Sequence, residues 1–464
     1  MSINMQRPKI GTAIASLLAL FFHYSATAQT QSQSQTSDSL ISQLSSGPAV
    51  RYNIQACIDS AVNNNANVKL AEFTARTAHN TYLQGVGSML PSFSGQIQYY
   101  NSGGKTVNPV TYQYVTENFN QGNGNLQGSL VLFNGFNLIN ALKQYSLAYE
   151  ADKKDWQYQR DLVTITIIQD FLAILSAEEQ LDLAQKQAAD FRHRADLIYI
   201  QDSLGAAAHS LLTDQLAALN GAELTIVSTK NLLEQNKMKL AQDMNVPYSP
   251  NMDVVKLGVD TTPVIYSSSV DQVYQNATHH IAAIAAADLH LKSAQRGVAS
   301  TRGALTPNLA LIYGLNNNYS TASNLKFSTQ FQNDYNYYLG LNLNIPILNG
   351  LRYRVAYKNA QINRDQALFN QKTINNNLRQ AVEASYVTMI QNYRTYNVTW
   401  RQVQNYEESY REASIKFDNG AIASLDYVIY NTNKNNAELA LISAKYSYLL
   451  ASKVLDYYQG TLTW

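Results

Sequence analysis

Hydrophobic residues along this chain recur at two spacings, and the two alternate in blocks. Over 136–245 and again over 351–460 they step by three and four. Leu181, Ala184, Ala188, Phe191, Ala195 and Ile198 do so in the first block, and Tyr386, Met389, Tyr393, Tyr396, Trp400 and Val403 in the second. Leu439, Ile442, Tyr446 and Leu449 repeat the pattern on a returning segment. Alternating three–four spacing is the seam of helices packed as coiled coils. No proline lies between Pro109 and Pro247 or after Pro346, so nothing interrupts these helices. A helix running unbroken from Phe136 to Leu204 would be about 100 Å long at about 1.5 Å per residue. That far exceeds the three or four turns usual in globular domains. Gly205 and Gly420 are then the turns between antiparallel partners.

Ahead of each helical block the spacing changes to two. Tyr337, Leu339, Leu341, Leu343 and Ile345 alternate with Tyr338, Gly340, Asn342 and Asn344, and Leu309, Leu311, Tyr313 and Leu315 supply a partner strand. Earlier in the chain Phe93, Ile97 and Tyr99, then Leu126, Leu130 and Leu132, do the same. The strands are expected at about 92–100, 125–134, 308–317 and 336–346, with connecting loops at 101–124 and 316–335. Amide or small residues on one face and apolar ones on the other suit a membrane barrel, lipid outside and water inside. An antiparallel sheet in a soluble protein also alternates. It does not explain why none of these four segments carries a charge, whereas Lys or Arg on a lipid face costs about 2–4 kcal/mol at mid-bilayer.

The block order is itself repeated. Ala222-Glu223-Leu224, with Ile226, Ser228 and Lys230, recurs as Ala437-Glu438-Leu439, with Leu441, Ser443 and Lys445, at an offset of 215. Gly205 falls on Gly420 and Asn134-Gly135 on Asn349-Gly350 at that offset; one residue further, Pro91 falls on Pro307. The reading is a duplication, with units at 50–250 and 269–464 joined by a linker at 251–268 that follows Pro247 and Pro250 and contains Pro263.

Composition adds a compartment. Arg7 and Lys9 precede an uncharged run over 10–22, and Ala26-Thr27-Ala28 follows before Gln29. A basic segment, a short apolar run and an A-x-A site predict a secretory signal peptide at 1–28, with a Gln/Ser-rich leader at 29–49. No other window reaches the roughly 18 apolar residues of a helical span, which leaves a β-barrel open. The single cysteine, Cys57, forbids an internal disulfide and lies too far past the cleavage site to be a lipid anchor. It reads as a small buried thiol on an amphipathic helix at 52–62. Across 464 residues, 34 Lys and Arg balance 33 Asp and Glu to a net charge of +1, which argues against a nucleic-acid partner. Only 14% of residues are charged; 46 Asn, 37 Gln and 32 Tyr fill the gap.

Four strands cannot close a barrel, and an open sheet in lipid leaves costly unpaired edges. Copies must therefore share one barrel, of about eight strands from two copies or about twelve from three; the physics does not choose. At this point the chain resembles the TolC family of outer-membrane efflux proteins. The likeness rests on Leu90-Pro91 and Thr306-Pro307 before a strand, on Leu132-Phe133-Asn134-Gly135 and Pro346-Ile347-Leu348-Asn349-Gly350 at strand ends, and on Phe417-Asp418-Asn419-Gly420-Ala421-Ile422-Ala423-Ser424-Leu425-Asp426. The last is similar to the family's turn with an aromatic, a glycine and an aspartate at fixed spacing. The resemblance implies a homotrimer whose twelve-stranded outer-membrane barrel continues as an α-helical barrel into the periplasm. It implies a passive exit duct in outer-membrane lipid, docked by a periplasmic adaptor onto an inner-membrane pump, with no catalytic site, cofactor or metal. It also implies that Asp426 lies at the periplasmic aperture. Ile429 stands where a second aspartate ring would, and Ile422 where a helix-latching arginine would. The turns Leu204, Gly205, Ala206 and Asn419, Gly420, Ala421 suit docking of an adaptor hairpin and equally suit a plain helix cap.

Enzyme signals are weak beside this. Gly103-Gly104-Lys105-Thr106 mimics the end of a phosphate-binding loop, but Tyr99 occupies the first glycine's place and Asn-Pro-Val follows in place of a helix. His279, His280 and His290 lack ligand spacing on one helical face, so they read as solvated or packed side chains. Rival readings are a stand-alone porin-like channel, which has no use for two long hairpins, and a coiled-coil envelope protein without a pore, which has no use for uncharged strands.

Overall fold

Strand passes into helix in this protein through two consecutive left-handed residues, and it does so twice. Gly135 (φ 63°) and Phe136 (φ 62°) make the first transition, Gly350 (φ 60°) and Leu351 (φ 68°) the second. The computed structural model describes residues 50–107, 112–116, 118–256 and 263–462. The expected signal peptide, the leader and linker residues 257–262 lie outside the described residues, as does Pro109.

In chain order the elements are β1 (Val50–Tyr52), α1 (Ile54–Asn64), α2 (Ala66–Gly87), β2 (Ser92–Ser102), β3 (Lys105–Val107), β4 (Tyr114–Thr116), β5 (Phe119–Phe133), α3 (Asn137–Ser203) and α4 (His209–Asp243). There follow β6 (Met252–Val254), α5 (Val270–His280), α6 (Ala282–Gly303), β7 (Asn308–Ser320), α7 (Phe327–Asn333), β8 (Tyr335–Asn344), α8 (Arg352–Asp418) and α9 (Ser424–Gln459). The second series repeats the first. α5, α6 and β7 begin 216 residues after α1, α2 and β2; α8 and α9 begin 215 after α3 and α4. One residue is therefore lost between the two strands of the second unit. Caps repeat as well. Asn53 accepts from Ala56 N–H at 2.7 Å, and Ser269 in the same place makes a full capping box with Gln272.

Two segments expected as loops carry structure. Within 101–124, β5 starts at Phe119 and β3 pairs with β4; within 316–335, β7 runs on to Ser320 and α7 forms. Asn- and Gly-rich composition suggested loops. Here amide ladders hold the backbone extended, as in Asn101 to Asn120 at 3.0 Å and Asn123 to Asn318 at 2.8 Å. Inside the expected linker, β6 forms because it pairs in parallel with β1.

The main sheet has order β2-β5-β7-β8, antiparallel throughout. Its register puts Leu130 beside Leu311 and Leu311 beside Leu341. Phe93, Ile97, Leu126, Leu130, Tyr313, Leu315, Leu339 and Leu343 consequently share one face. Gln98, Asn123, Asn125, Asn316, Asn318, Asn336 and Asn342 share the other. All four strands lack charged residues, including the extensions into the expected loops.

Two buried cores sit where the helices cross, and they occupy equivalent places in the repeats. One joins Cys57, Ala61, Val68, Ile167, Ile174 and Leu240. The other joins Val273, Ala277, Ile284, Val382, Met389 and Leu455, the same positions one repeat later. Each large apolar side chain so buried contributes roughly 1.5–3 kcal/mol. Cys57 takes the place of Val273, is fully buried, and its thiol is pushed up to about 12 by that burial. It is a packing residue. Among the described residues no helix is long and apolar enough to cross a membrane.

One core carboxylate is costly. Asp170, 3% exposed, bonds Lys239, and burial, with Asp243 close by, pushes its carboxyl up to about 7. An acid raised in the folded state favours the protonated form, so its contribution is full below the unfolded value of about 4 and fades as pH climbs through the folded value. Urea midpoints of the wild type should therefore fall between pH 5 and pH 7.5 more steeply than those of Asp170→Asn. Equal slopes would remove Asp170 as the cause.

Candidate functional site

The far ends of the long helices hold the residues that sequence pattern marks as a site. α3 ends in a Schellman turn, with Ala206 N–H on Gln201 carbonyl at 2.7 Å, Gly205 N–H on Asp202 carbonyl at 2.9 Å and Gly205 at φ 71°. α8 ends identically, with Ala421 N–H on Lys416 carbonyl at 2.7 Å, Gly420 N–H on Phe417 carbonyl at 2.9 Å and Gly420 at φ 70°. Both turns need glycine for this geometry. Leu204, Gly205, Ala206, Asn419, Gly420 and Ala421 are all exposed, Leu204 at 77%. Beside them Tyr199, Ile200, Ile415 and Leu425 also stand in solvent. A cleft of about 520 Å³ separates the two turns, with Ala206, Ala207, Leu211, Ile422 and Ala423 among its walls.

Asp426 is exposed in the first turn of α9, where the helix dipole favours a carboxylate. Ile429 is exposed one turn on, and Ile422 is half-buried in the cleft.

Sequence reasoning missed the group that ties the hairpins together. Arg194 on α3 donates to Asp418 at 3.0 Å and to Ser414 at 2.5 Å, both on α8. Its guanidinium lies 4.3 Å from the ring centre of Tyr427, the residue after Asp426. Tyr427 is fully buried, stacks on Phe417 at 4.8 Å, and meets the Tyr410 hydroxyl at 3.1 Å. Burial pushes its hydroxyl well above the usual tyrosine range. Gln215 on α4 adds a buried bond to Ser424 on α9 at 3.1 Å. An arginine clamp thus exists, reaching from the other hairpin and not from position 422. The available signal was Arg194 beside the seam residue Ala195, facing an Asp418 that the turn motif had already singled out.

His290 meets neither His279 nor His280. It pairs instead with Asp155 at 2.8 Å and Asp152 at 3.8 Å across α3 and α6. The hydrogen bond that its ring N–H donates to the Asp155 carboxylate holds the imidazole above the ordinary histidine value, while burial raises Asp152. These three donors lie within 4.8 Å of one another, close enough for a cation; the ion pair already accounts for their placement.

Residues 273–461 match the protein family described as outer membrane efflux protein. By shape, nearly the whole chain resembles solved channels. CusC superposes with a TM-score of 0.75 at 16% identity, covering 88% of this chain and 92% of its own. The CmeC outer membrane channel of Campylobacter jejuni gives 0.70 at 19%, covering 88% and 86%. The outer membrane protein VceC of Vibrio cholerae gives 0.71 at 14%, covering 88% and 96%. No curated protein matches the chain by sequence. The fold is that of these solved outer-membrane proteins, and the first repeat of this chain carries the same elements as the second.

Proposed function

We propose that this protein is the outer-membrane exit duct of a tripartite efflux or secretion system, a passive channel that performs no chemistry. The observation that carries this reading is a continuous one. A wholly uncharged four-stranded sheet with an apolar face runs through two left-handed residues into helices of 67 residues. Such helices reach about 100 Å, and none is apolar enough to lie in lipid. They suit a tube crossing an aqueous compartment below a membrane barrel.

In this reading the protein is a homotrimer whose twelve strands close a barrel in outer-membrane lipid and whose helices extend through the periplasm. The exposed small turns at Gly205 and Gly420 receive a periplasmic adaptor, which connects the duct to an inner-membrane pump. Asp426, repeated by symmetry, lines the periplasmic aperture and disfavours anions there. The Arg194 clamp keeps each protomer's two hairpins together beside that aperture.

A deletion strain should become sensitive to exported compounds or lose a secreted product. Unchanged sensitivity together with unchanged secretion would sink the reading. The purified channel offers a sharper measurement. Arg194→Ala removes a charge-assisted bond and a buried cation–π contact, a loss of about 2 kcal/mol. That shifts an equilibrium between joined and parted hairpins roughly 30-fold. Conductance across planar bilayers should rise, and a wild-type conductance would show that the clamp does not restrain the aperture.

A further inference from the structure

The long helices all join the sheet at one end, and the opposite end carries a short helix with no counterpart in the first repeat. α7 lies in the connection between β7 and β8, whereas the matching connection of the first repeat holds the β3–β4 pair. Its sequence, Phe-Ser-Thr-Gln-Phe-Gln-Asn, has no charge and sets Phe327 and Phe331 one turn apart. The helix is firmly fastened. Gln330, which is buried, accepts from the Ser320 N–H at 2.9 Å and donates to the Ser320 and Leu325 carbonyls at 3.1 and 2.8 Å. Phe327 and Phe331 are nevertheless 60% and 55% exposed, their ring centres 6.0 Å apart. Two phenyl rings are thus held in place and left uncovered by their own chain.

The contacts of α7 fix which side of the sheet it occupies. Phe327 meets Tyr319 edge-on, with 5.2 Å between ring centres, and the Asn317 side chain donates to the Phe331 carbonyl at 2.7 Å. Asn317 and Tyr319 continue the alternation of Leu311, Tyr313 and Leu315, so both project from the apolar face. Tyr335 and Tyr337, opposite Asn317 and Leu315, add exposed rings on that face. Height agrees with side. A barrel strand crosses the hydrocarbon in about 9–11 residues, and the stretch from Leu309 to Tyr319 is one such crossing.

We propose that α7 is a membrane-surface anchor: Phe327 and Phe331 enter the outer boundary of the lipid, between headgroups and acyl chains, and Lys326 pairs with lipid phosphate. The proposal rests on the reading of the sheet as part of an outer-membrane channel and adds a lipid contact outside the barrel strands. Continuity with the apolar face carries it. That face runs without a charged residue from Leu309 to Tyr319 and passes directly onto the two phenyl rings. Gln332 and Asn333, both exposed, lie on the opposite side of the helix. A helix so divided rests in the boundary with its rings toward the acyl chains and its amides toward water. Lys326, exposed and directly before Phe327, lays its stem along apolar surface while its ammonium reaches the headgroup level. Among the described residues of this connection the remaining charge is Asp334, which is half-buried, so the exposed charge next to the rings is cationic and matches a phosphate-bearing leaflet.

Spin labels in the full Cys57→Ser chain test the anchor. A nitroxide is attached at Phe327→Cys, Phe331→Cys, Gln332→Cys or Asn333→Cys, and the protein is reconstituted in vesicles of phosphatidylcholine and phosphatidylglycerol. Relaxation by oxygen, which gathers in lipid, is compared with relaxation by a water-soluble nickel chelate. The oxygen-to-nickel ratio at Phe327→Cys and Phe331→Cys should exceed that at Gln332→Cys and Asn333→Cys roughly threefold or more. It should also fall in phosphatidylcholine alone, and Lys326→Gln should abolish that dependence on anionic lipid. Equal ratios at all four positions would overturn the anchor, as would labels at the two ring positions shielded from both reagents by a second copy or another protein. A lipid dependence unchanged by Lys326→Gln would overturn the phosphate pairing. Phe327→Trp and Phe331→Trp keep a ring in place and give a second reading. Brominated phospholipid should quench their added fluorescence beyond the background of the native tryptophans, and no added quenching would count against the anchor. A conducting channel whose rings stay in water leaves the duct reading intact, whereas a wild-type chain that never enters vesicles overturns both.

Discussion

Gly135→Ala should be among the most damaging single-methyl changes in this protein, and Gly350→Ala far milder in the isolated chain. Both glycines are left-handed, at φ 63° and 60°, which costs an alanine about 1–2 kcal/mol. Their surroundings differ. At Gly135 the new methyl would sit 1.8 Å from Thr306 Oγ1 and 2.6 Å from the Gly303 carbonyl. Thr306 cannot simply turn aside, because its hydroxyl donates to that same carbonyl at 2.7 Å. Gly303 cannot retreat easily either. It ends α6, and the neighbouring turn is fastened by Asn137 donating to the Ser300 carbonyl at 2.7 Å. Overpacking of this kind adds about 1–3 kcal/mol, so the total reaches about 2–5 kcal/mol. At Gly350 only the backbone term applies, since nothing lies within 4 Å. Urea unfolding of detergent-solubilised monomer, followed by helical circular dichroism, should show a large drop in midpoint for Gly135→Ala and a small one for Gly350→Ala. Equal drops would mean that left-handed strain, and not the approach of α6, dominates.

The same pair shows what could be read before the structure and what could not. Asn134-Gly135 and Asn349-Gly350 look alike in sequence and mark the same event, strand giving way to helix. The spacing of Leu181, Ala184, Ala188 and Phe191 was sufficient to place a helix, because a 3.6-residue period is a local property. The alternation through Leu339, Leu341 and Leu343 placed a strand for the same reason. Polar strands were harder. Asn120 and Asn123 carry loop composition, and only pairing with β2 and β7 explains why they are extended. The clamp was out of reach for a related reason. Arg194 and Asp418 lie 224 residues apart, and an arginine at a seam edge looks like any solvated one until the second hairpin is laid beside it. The turn motif drew attention to position 422 because that is where the related pattern carries its arginine. This chain places the charge on the opposite hairpin, so the cation was found by geometry alone.

Leu311→Arg should block assembly into the outer membrane, while Ile312→Arg, one residue along the same strand, should be tolerated. Leu311 lies on the apolar face, flanked by Leu130 on β5 and Leu341 on β8. A guanidinium there has only hydrocarbon neighbours within the sheet, and against lipid the cost is about 2–4 kcal/mol near mid-bilayer. Ile312 points to the other face, between Ser129 and Gly340. Gly340 leaves room, its nearest neighbour being Ile312 Cγ1 at 3.8 Å from a would-be Cβ. An arginine at that place projects toward the amide-lined side, where water and Asn342 or Asn344 can solvate it. The expected results are a strong loss of heat-modifiable, membrane-extracted protein for Leu311→Arg and near-normal recovery for Ile312→Arg. The second variant should also alter the channel. A ring of added cations beside strands that carry no charge disfavours cation passage, so its reversal potential in a salt gradient should shift toward anion preference. If Ile312→Arg fails to assemble while Leu311→Arg assembles, the lipid face has been assigned to the wrong side of the sheet. If both assemble with unchanged permeation, the sheet does not line a membrane pore, and the duct reading falls with it.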